Sequence, residues 1–201
     1  MVVIRLPFSI NTYKQMRHLL TLEEFSIRGK KSDKVLVFDI DDTLITSDAK
    51  VLVKKNGKTI RELNSKEFND YKLGEGEEYS YERFRDINIM LSSEMKPYFN
   101  TLKREYNKGV HISILTARED KKMIHDFFIK KSGIDIHPNL IFTSGDDKSD
   151  CSVAEKKAKC IRKLVQYGYR TLVFFDDNAD NLTYAQRMGK KLGVKIHVVK
   201  A

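Results

Sequence analysis

Five short apolar runs recur along the chain: KVLVFD (34–39), VHISILT (110–116), NLIFTS (139–144), TLVFFDD (171–177) and KIHVVK (195–200). Each is rich in Val, Ile, Leu or Phe and nearly continuous, as strands buried on both faces of a parallel sheet tend to be. Amphipathic stretches separate most of them. SSEMKPYFNTLKREYNKG (92–109) reads as a helix with serine caps, Pro97 in its first turn and Gly109 at its end. EDKKMIHDFFIKKSG (119–133) and SVAEKKAKCIRKLVQYG (152–168) also finish at glycines, whereas Gly189 interrupts DNLTYAQRMGKKLG (180–193) and leaves its end open. The alternation predicts an α/β fold with a mostly parallel sheet covered by helices on both faces.

The alternation lapses between about 46 and 92. VLVKKNGKTIREL (51–63) places Asn56-Gly57 between two alternating segments, a strong hairpin signal. A short helical pattern follows at 65–73, then the polar, aromatic GEGEEYSYERFRD (74–86). This reads as a small insertion, too short for much core of its own. Residues 1–33 read as an N-terminal extension of unassigned role, with a short strand and an amphipathic helix over 13–25.

Composition narrows the class. Of 201 residues, 41% are apolar and 32% charged, the balance of a water-exposed globular protein, and no run approaches the length that spans a bilayer. No secretory signal is visible at the N-terminus, so a cytoplasmic protein is expected. Cys151 and Cys160 flank or lie on one expected helix, about 13 Å apart by helical rise, too far for a disulfide. Reduced thiols are expected, with Cys160 a helix residue among apolar neighbours and not a nucleophile. The net charge is +9, and residues 151–201 hold eleven Lys and Arg against four acids. Two solvated helix faces are the first reading of that excess, and attraction to a polyanion such as nucleic acid is the alternative, with no recognisable nucleic-acid-binding motif beside it. Nothing in the chain points to a protein partner.

In an open parallel sheet, ligands bind beyond the carboxyl ends of the strands. There the run at 35–38 ends in Asp39, Asp41, Asp42 and Thr43, and the run at 172–175 ends in Asp176, Asp177 and Asn178. The run at 110–115 ends in Thr116 and Arg118. Two unit charges 4 Å apart repel by about 4 kcal/mol at an effective dielectric near 20, so converging carboxylates require a cation. Oxygen donors without Cys or His favour Mg²⁺.

In this order on this alternation, the motifs resemble those of the haloacid dehalogenase-like (HAD) phosphohydrolase superfamily. VLVFDIDDT stands for its apolar strand and Asp-x-Asp-x-Thr, ISILT for its strand ending in Thr or Ser, and LVFFDD for its paired acids. The family's helix-borne lysine falls on Lys157, with Lys156 as the alternative. The resemblance covers about 34–200 and implies a HAD-like, Rossmann-like three-layer α/β/α catalytic domain over 34–201, with a small cap inserted at about 46–92. FDIDDTL, YKL, FRD, LTAR and FFDDN together resemble small HAD proteins encoded by bacteriophages, which would place the chain in a host cytoplasm.

The resemblance also implies roles. Asp39 is the expected nucleophile, forming an aspartyl-phosphate, and Asp41 the general acid and then base. Thr116 and Lys157 hold the phosphoryl group, and Thr43 and Arg118 contact substrate. The Mg²⁺ site comprises Asp39, the carbonyl of Asp41 and Asp176, with Asp177 beside them to orient the lysine or a metal-bound water. Aspartate two places after the nucleophile marks phosphatases and phosphomutases, and no feature of the insertion suggests a mutase. Asp146 and Asp147 precede the lysine helix and read as surface loop; Asp42 reads as peripheral.

A Mg²⁺-dependent phosphomonoesterase is therefore expected. Its substrate would be a nucleotide or a nucleic-acid terminal phosphate, given a modest cap and the aromatic-basic Tyr79, Tyr81, Arg83, Phe84 and Arg85. Those aromatics either pack the insertion onto the core or stack on a base. A catalytically idle HAD-fold protein that binds nucleic acid, and a phosphatase of small sugar or metabolite phosphates, are the alternatives.

Overall fold

The computed structural model describes residues 32–201. The strand and helix expected in the N-terminal extension lie outside the described residues.

Five parallel strands form the central sheet: β1 (Lys34–Phe38), β7 (His111–Thr116), β8 (Ile141–Thr143), β9 (Thr171–Asp176) and β10 (Lys195–Lys200). Their spatial order is β10-β9-β1-β7-β8. All five expected runs are strands, and β1 is central, which explains why Val35 to Phe38 are all buried. The helices between them are α3 (Pro97–Asn107), α4 (Lys121–Ser132), α5 (Val153–Gln166) and α6 (Ala179–Leu192). The chain moves from β1 toward β8, then crosses to β9 and continues outward. Right-handed crossovers therefore place α3 and α4 on one face and α5 and α6 on the other. Phe99 of α3 stacks on Phe128 of α4 at 6.2 Å, and α5 packs along α6.

Local chemistry sets the helix ends. Ser152 caps α5 in a reciprocal box with Glu155, and Asp120 caps α4. Asn178 caps α6 by accepting the backbone N–H groups of Asp180 and Asn181.

The helix expected over 92–109 starts later, and its serines are not its caps. Lys96 precedes a proline and is held extended (φ −83°, ψ 162°), so the helix begins at Pro97. Upstream, β6 (Glu94–Met95) pairs antiparallel with β2 (Ile45–Thr46). Ser92 and Ser93 instead close a short helix that the pattern did not reveal, α2 (Ile87–Ser92), capped by Asp86.

The β2–β6 pair forms the stem of the insertion. Beyond it, β3 (Val51–Lys55) and β4 (Lys58–Leu63) form the expected hairpin, with Asn56 (φ 52°) and Gly57 (φ 73°) in the left-handed conformation that such turns require. α1 (Ser65–Asp70) is shorter than its pattern. The stretch at 74–86 holds a third strand, β5 (Glu77–Ser80), paired with β3, and a 3₁₀ turn at Glu82–Arg85. Val51, Val53 and Leu63 are buried against Phe68, Tyr71, Tyr79 and Phe84, a core of its own but a small one.

Candidate active site

The register of β1 and β9 brings the two acidic motifs together. Phe38 lies opposite Phe175, and their rings stack at 4.4 Å. Asp39 and Asp176 follow these residues and leave adjacent strands side by side. The Asp39 N–H donates to the Phe175 carbonyl at 2.9 Å. This is also where the strand order reverses, between β1, whose chain continues to β7, and β9.

Lys157, at the fifth position of α5, places its ammonium between the two acids. It is 2.8 Å from Asp39 Oδ1 and 2.8 Å from Asp176 Oδ2, with all three side chains buried. Lys156 is not in this contact, and Lys159 pairs with Asp147 on the surface. Burial pushes Asp39 up to about 7; the Lys157 charge opposes that rise, while Asp176 and Asp41 add to it. Burial also works against the Lys157 charge, but Asp39 and Asp176 overcome it and hold the ammonium above its ordinary range. Asp177 is raised by burial and by its neighbours Asp176 and Asp42.

Carboxylate oxygens of Asp39, Asp176 and Asp177 lie within 4.8 Å of one another. Asp177 therefore stands among the acids able to grip a cation directly. Asp176 is oriented by Asn181, whose amide donates to Oδ1 (2.9 Å) and Oδ2 (3.1 Å), and by the Asn178 N–H (2.9 Å). Asn181 was not singled out from sequence. Its signal is a polar residue on the buried face of α6, in line with Leu182 and Ala185.

Two expected substrate contacts have different partners. Thr43 is wholly buried, and its hydroxyl accepts the Asp177 N–H at 3.1 Å, tying the β1 loop to the β9 loop. Arg118 is also buried, and its guanidinium grips Asp41 at both carboxylate oxygens (Nε–Oδ2 2.9 Å, Nη2–Oδ1 2.7 Å). Thr116, fully buried, accepts the Arg118 N–H at 3.2 Å. Asp42 adopts a left-handed φ of 58°, and its carbonyl accepts from Lys96 Nζ.

The remaining candidates lie outside this cluster. Asp146 accepts from Thr143 and Asp147 from Lys159 in the loop after β8. Cys151 and Cys160 are free, and burial raises the Cys160 thiol. In the cap, Tyr79 packs on Phe68 at 4.9 Å, Arg83 pairs with Glu62 and Arg85 with Glu119. Tyr81 remains 45% exposed. Among the described residues, no helix is long and apolar enough to cross a membrane.

No curated protein and no solved structure matches the chain. A family model does, the HAD superfamily, subfamily IIIB (acid phosphatase), over residues 10–196. That span takes in the motif-bearing strands, the cap and most of the segment expected to be an extension. The chain belongs to the HAD superfamily, subfamily IIIB, and is a phosphomonoester hydrolase.

Proposed function

We propose that the chain hydrolyses nucleotide or nucleic-acid terminal phosphates through a covalent aspartyl-phosphate on Asp39, with Mg²⁺ held at the same sheet edge. The observation that carries this reading is the trio of carboxylates Asp39, Asp176 and Asp177, within 4.8 Å of one another, with the Lys157 ammonium on the first two. With all three acids ionised, one ammonium leaves two negative charges in a largely buried site, and a divalent cation offsets them and favours that ionised state. The donors are oxygens only, which suits Mg²⁺. The carboxylates of Asp39, Asp176 and Asp177 would hold the ion, together with the Asp41 carbonyl that the family resemblance implies. When bound, the ion keeps Asp39 ionised and draws charge from the phosphoryl oxygens.

Asp39 then forms a bond to phosphorus as the bond from phosphorus to the ester oxygen breaks. Asp41, protonated, gives its proton to the departing oxygen. As a carboxylate it next takes a proton from water, whose oxygen attacks phosphorus and releases Asp39 and inorganic phosphate. Lys157 offsets charge on the phosphoryl group. Thr116 accepts one bond and still has its own proton to donate to a phosphate oxygen.

The substrate class rests on the cap. Phe84 lies against Arg118 beside the acid, and the half-exposed Tyr81 packs next to it at 6.4 Å, an aromatic surface suited to a base. The cation-rich 151–201 segment favours polyanions in the same sense.

The test is release of phosphate from p-nitrophenyl phosphate with and without Mg²⁺. Asp39→Asn is expected to abolish the magnesium-dependent reaction, and full activity in that variant would sink the mechanism. A screen of nucleotides, sugar phosphates and 3′- or 5′-phosphorylated oligonucleotides then tests the substrate class. A preference for sugar phosphates overturns it.

A further inference from the structure

All three guanidinium nitrogens of Arg118 donate to the protein. Nε and Nη2 hold the two oxygens of Asp41, Nη2 also reaches Ser47 Oγ at 3.2 Å, and Nη1 donates to the Phe84 carbonyl at 2.8 Å. The Phe84 ring covers the guanidinium, 5.3 Å from ring centroid to Cζ. The side chain is 2% exposed, so a charge desolvated to this degree depends on all of these partners. Asp41 itself is more open, with 28% of its side chain exposed. A carboxylate that must meet a leaving oxygen thus has both oxygens held by Arg118 while part of its side chain stays open to solvent.

Phe84 and Ser47 belong to the inserted cap and its stem, whereas Arg118 follows β7 of the central sheet. We infer that Arg118 is a positioning residue that fixes the Asp41 carboxylate and ties its orientation to the seat of the cap through Phe84. This inference rests on the reading of Asp41 as the general acid. A fork with two parallel bonds sets the plane of the carboxylate, which a single-point contact from lysine does not. Displacement of the Phe84 segment removes one acceptor and the ring cover together, and the guanidinium then shifts with its carboxylate.

General acid help matters only when the leaving oxygen is basic. A 2,4-dinitrophenolate departs unprotonated, whereas an alkoxide such as that of glycerol 2-phosphate does not. The experiment therefore compares kcat/KM of the full chain on these two esters at saturating Mg²⁺. The ratio is taken within each variant, so a reduced folded fraction cancels.

Arg118→Lys is expected to lower kcat/KM for the glycerol ester on the order of tenfold more than for the dinitrophenyl ester, as general acid catalysis contributes ~10²–10⁴ in full. Phe84→Ala is expected to move the ratio in the same direction, by several-fold, and serves alone if Arg118→Lys does not fold. Equal losses on both esters would mean that Arg118 contacts the phosphoryl group or only supports the fold, and would overturn the inference. A discriminating Arg118→Lys beside an unshifted Phe84→Ala would overturn the link to the cap. Asp41→Asn is the reference: if it fails to discriminate, the acid assignment itself falls. If it discriminates and Arg118→Lys does not, only the Arg118 inference falls.

Discussion

The Lys157 ammonium and the Asp39 carboxylate, 118 residues apart in sequence, meet at 2.8 Å in a buried contact. Lys157 is the only cation among the described residues that touches both Asp39 and Asp176, so its removal leaves two buried acids facing one another. Breaking a buried pair by deleting one partner costs about 3–5 kcal/mol. Lys157→Met is therefore expected to lower the stability of the metal-free protein by about 3 kcal/mol in urea unfolding at neutral pH. It is also expected to reduce phosphatase activity at least ~100-fold, in line with loss of a charge that meets the transferring phosphoryl group. A variant as stable and as active as the parent would show that the ammonium is dispensable.

Asp176 gives a separable test of the metal. It accepts from Lys157, Asn178 and Asn181, so its geometry is fixed before any ion arrives. An ion that binds only the folded chain stabilises it by about 2.7 kcal/mol at a hundredfold excess over its dissociation constant. Adding Mg²⁺ is expected to raise the melting temperature of the parent by several degrees. In Asp176→Asn that rise is expected to vanish. An equal rise in both proteins would place the ion elsewhere.

Much of this site is legible in the sequence because it depends on strand ends. Phe38 and Phe175 are apolar, buried and in register, and that alone sends the next residues, Asp39 and Asp176, to one place. The position of Lys157 follows the same logic, since it shares the buried face of α5 with Ala154, Ala158 and Ile161. What sequence did not disclose depends on contacts between distant loops. Arg118 carries no mark that it faces Asp41 instead of a ligand, and Thr43 none that its hydroxyl serves the Asp177 N–H. The third cap strand was hidden for another reason. Glu77–Ser80 buries only part of its surface, so its side chains do not alternate strongly between apolar and polar.

The cap should respond to acid through Glu77. Its carboxylate accepts from the Gly74 N–H and the Tyr71 hydroxyl, both at 2.8 Å, and these bonds hold it below its ordinary range. A carboxyl depressed in the folded state contributes stability above its unfolded pKa and loses it as pH falls through the folded value. The chain has nine tyrosines and no tryptophan, so tyrosine fluorescence can follow unfolding. The urea midpoint of Glu77→Gln is expected to fall below that of the parent at pH 7. The gap should narrow below about pH 4.5 and close once the carboxyl is protonated in both states. A gap independent of pH would mean that the side chain holds the turn by its bulk.

Gly189 looked from sequence like a break in the last helix, but α6 runs through it to Leu192. The reason for glycine is the neighbouring strand. A Cβ at this position would lie 2.7 Å from Ile196 Cγ1, 3.0 Å from Cδ1 and 3.2 Å from Cβ of the same side chain. Alanine is favoured over glycine by about 1 kcal/mol in a helix interior, whereas overpacking a fitted contact costs about 1–3 kcal/mol. Because the clash reaches as far in as the Ile196 Cβ, a change of rotamer does not relieve it, and the packing cost wins. Gly189→Ala is expected to destabilise the parent by about 1 kcal/mol or more. In an Ile196→Ala background the Cγ1 and Cδ1 contacts are gone and only the 3.2 Å approach to Cβ remains, so the same change is expected to be clearly less destabilising. The double-mutant cycle in urea reads the difference directly. An equal effect in both backgrounds would mean that β10 moves as a unit to admit the methyl group and that Ile196 does not set the identity of residue 189.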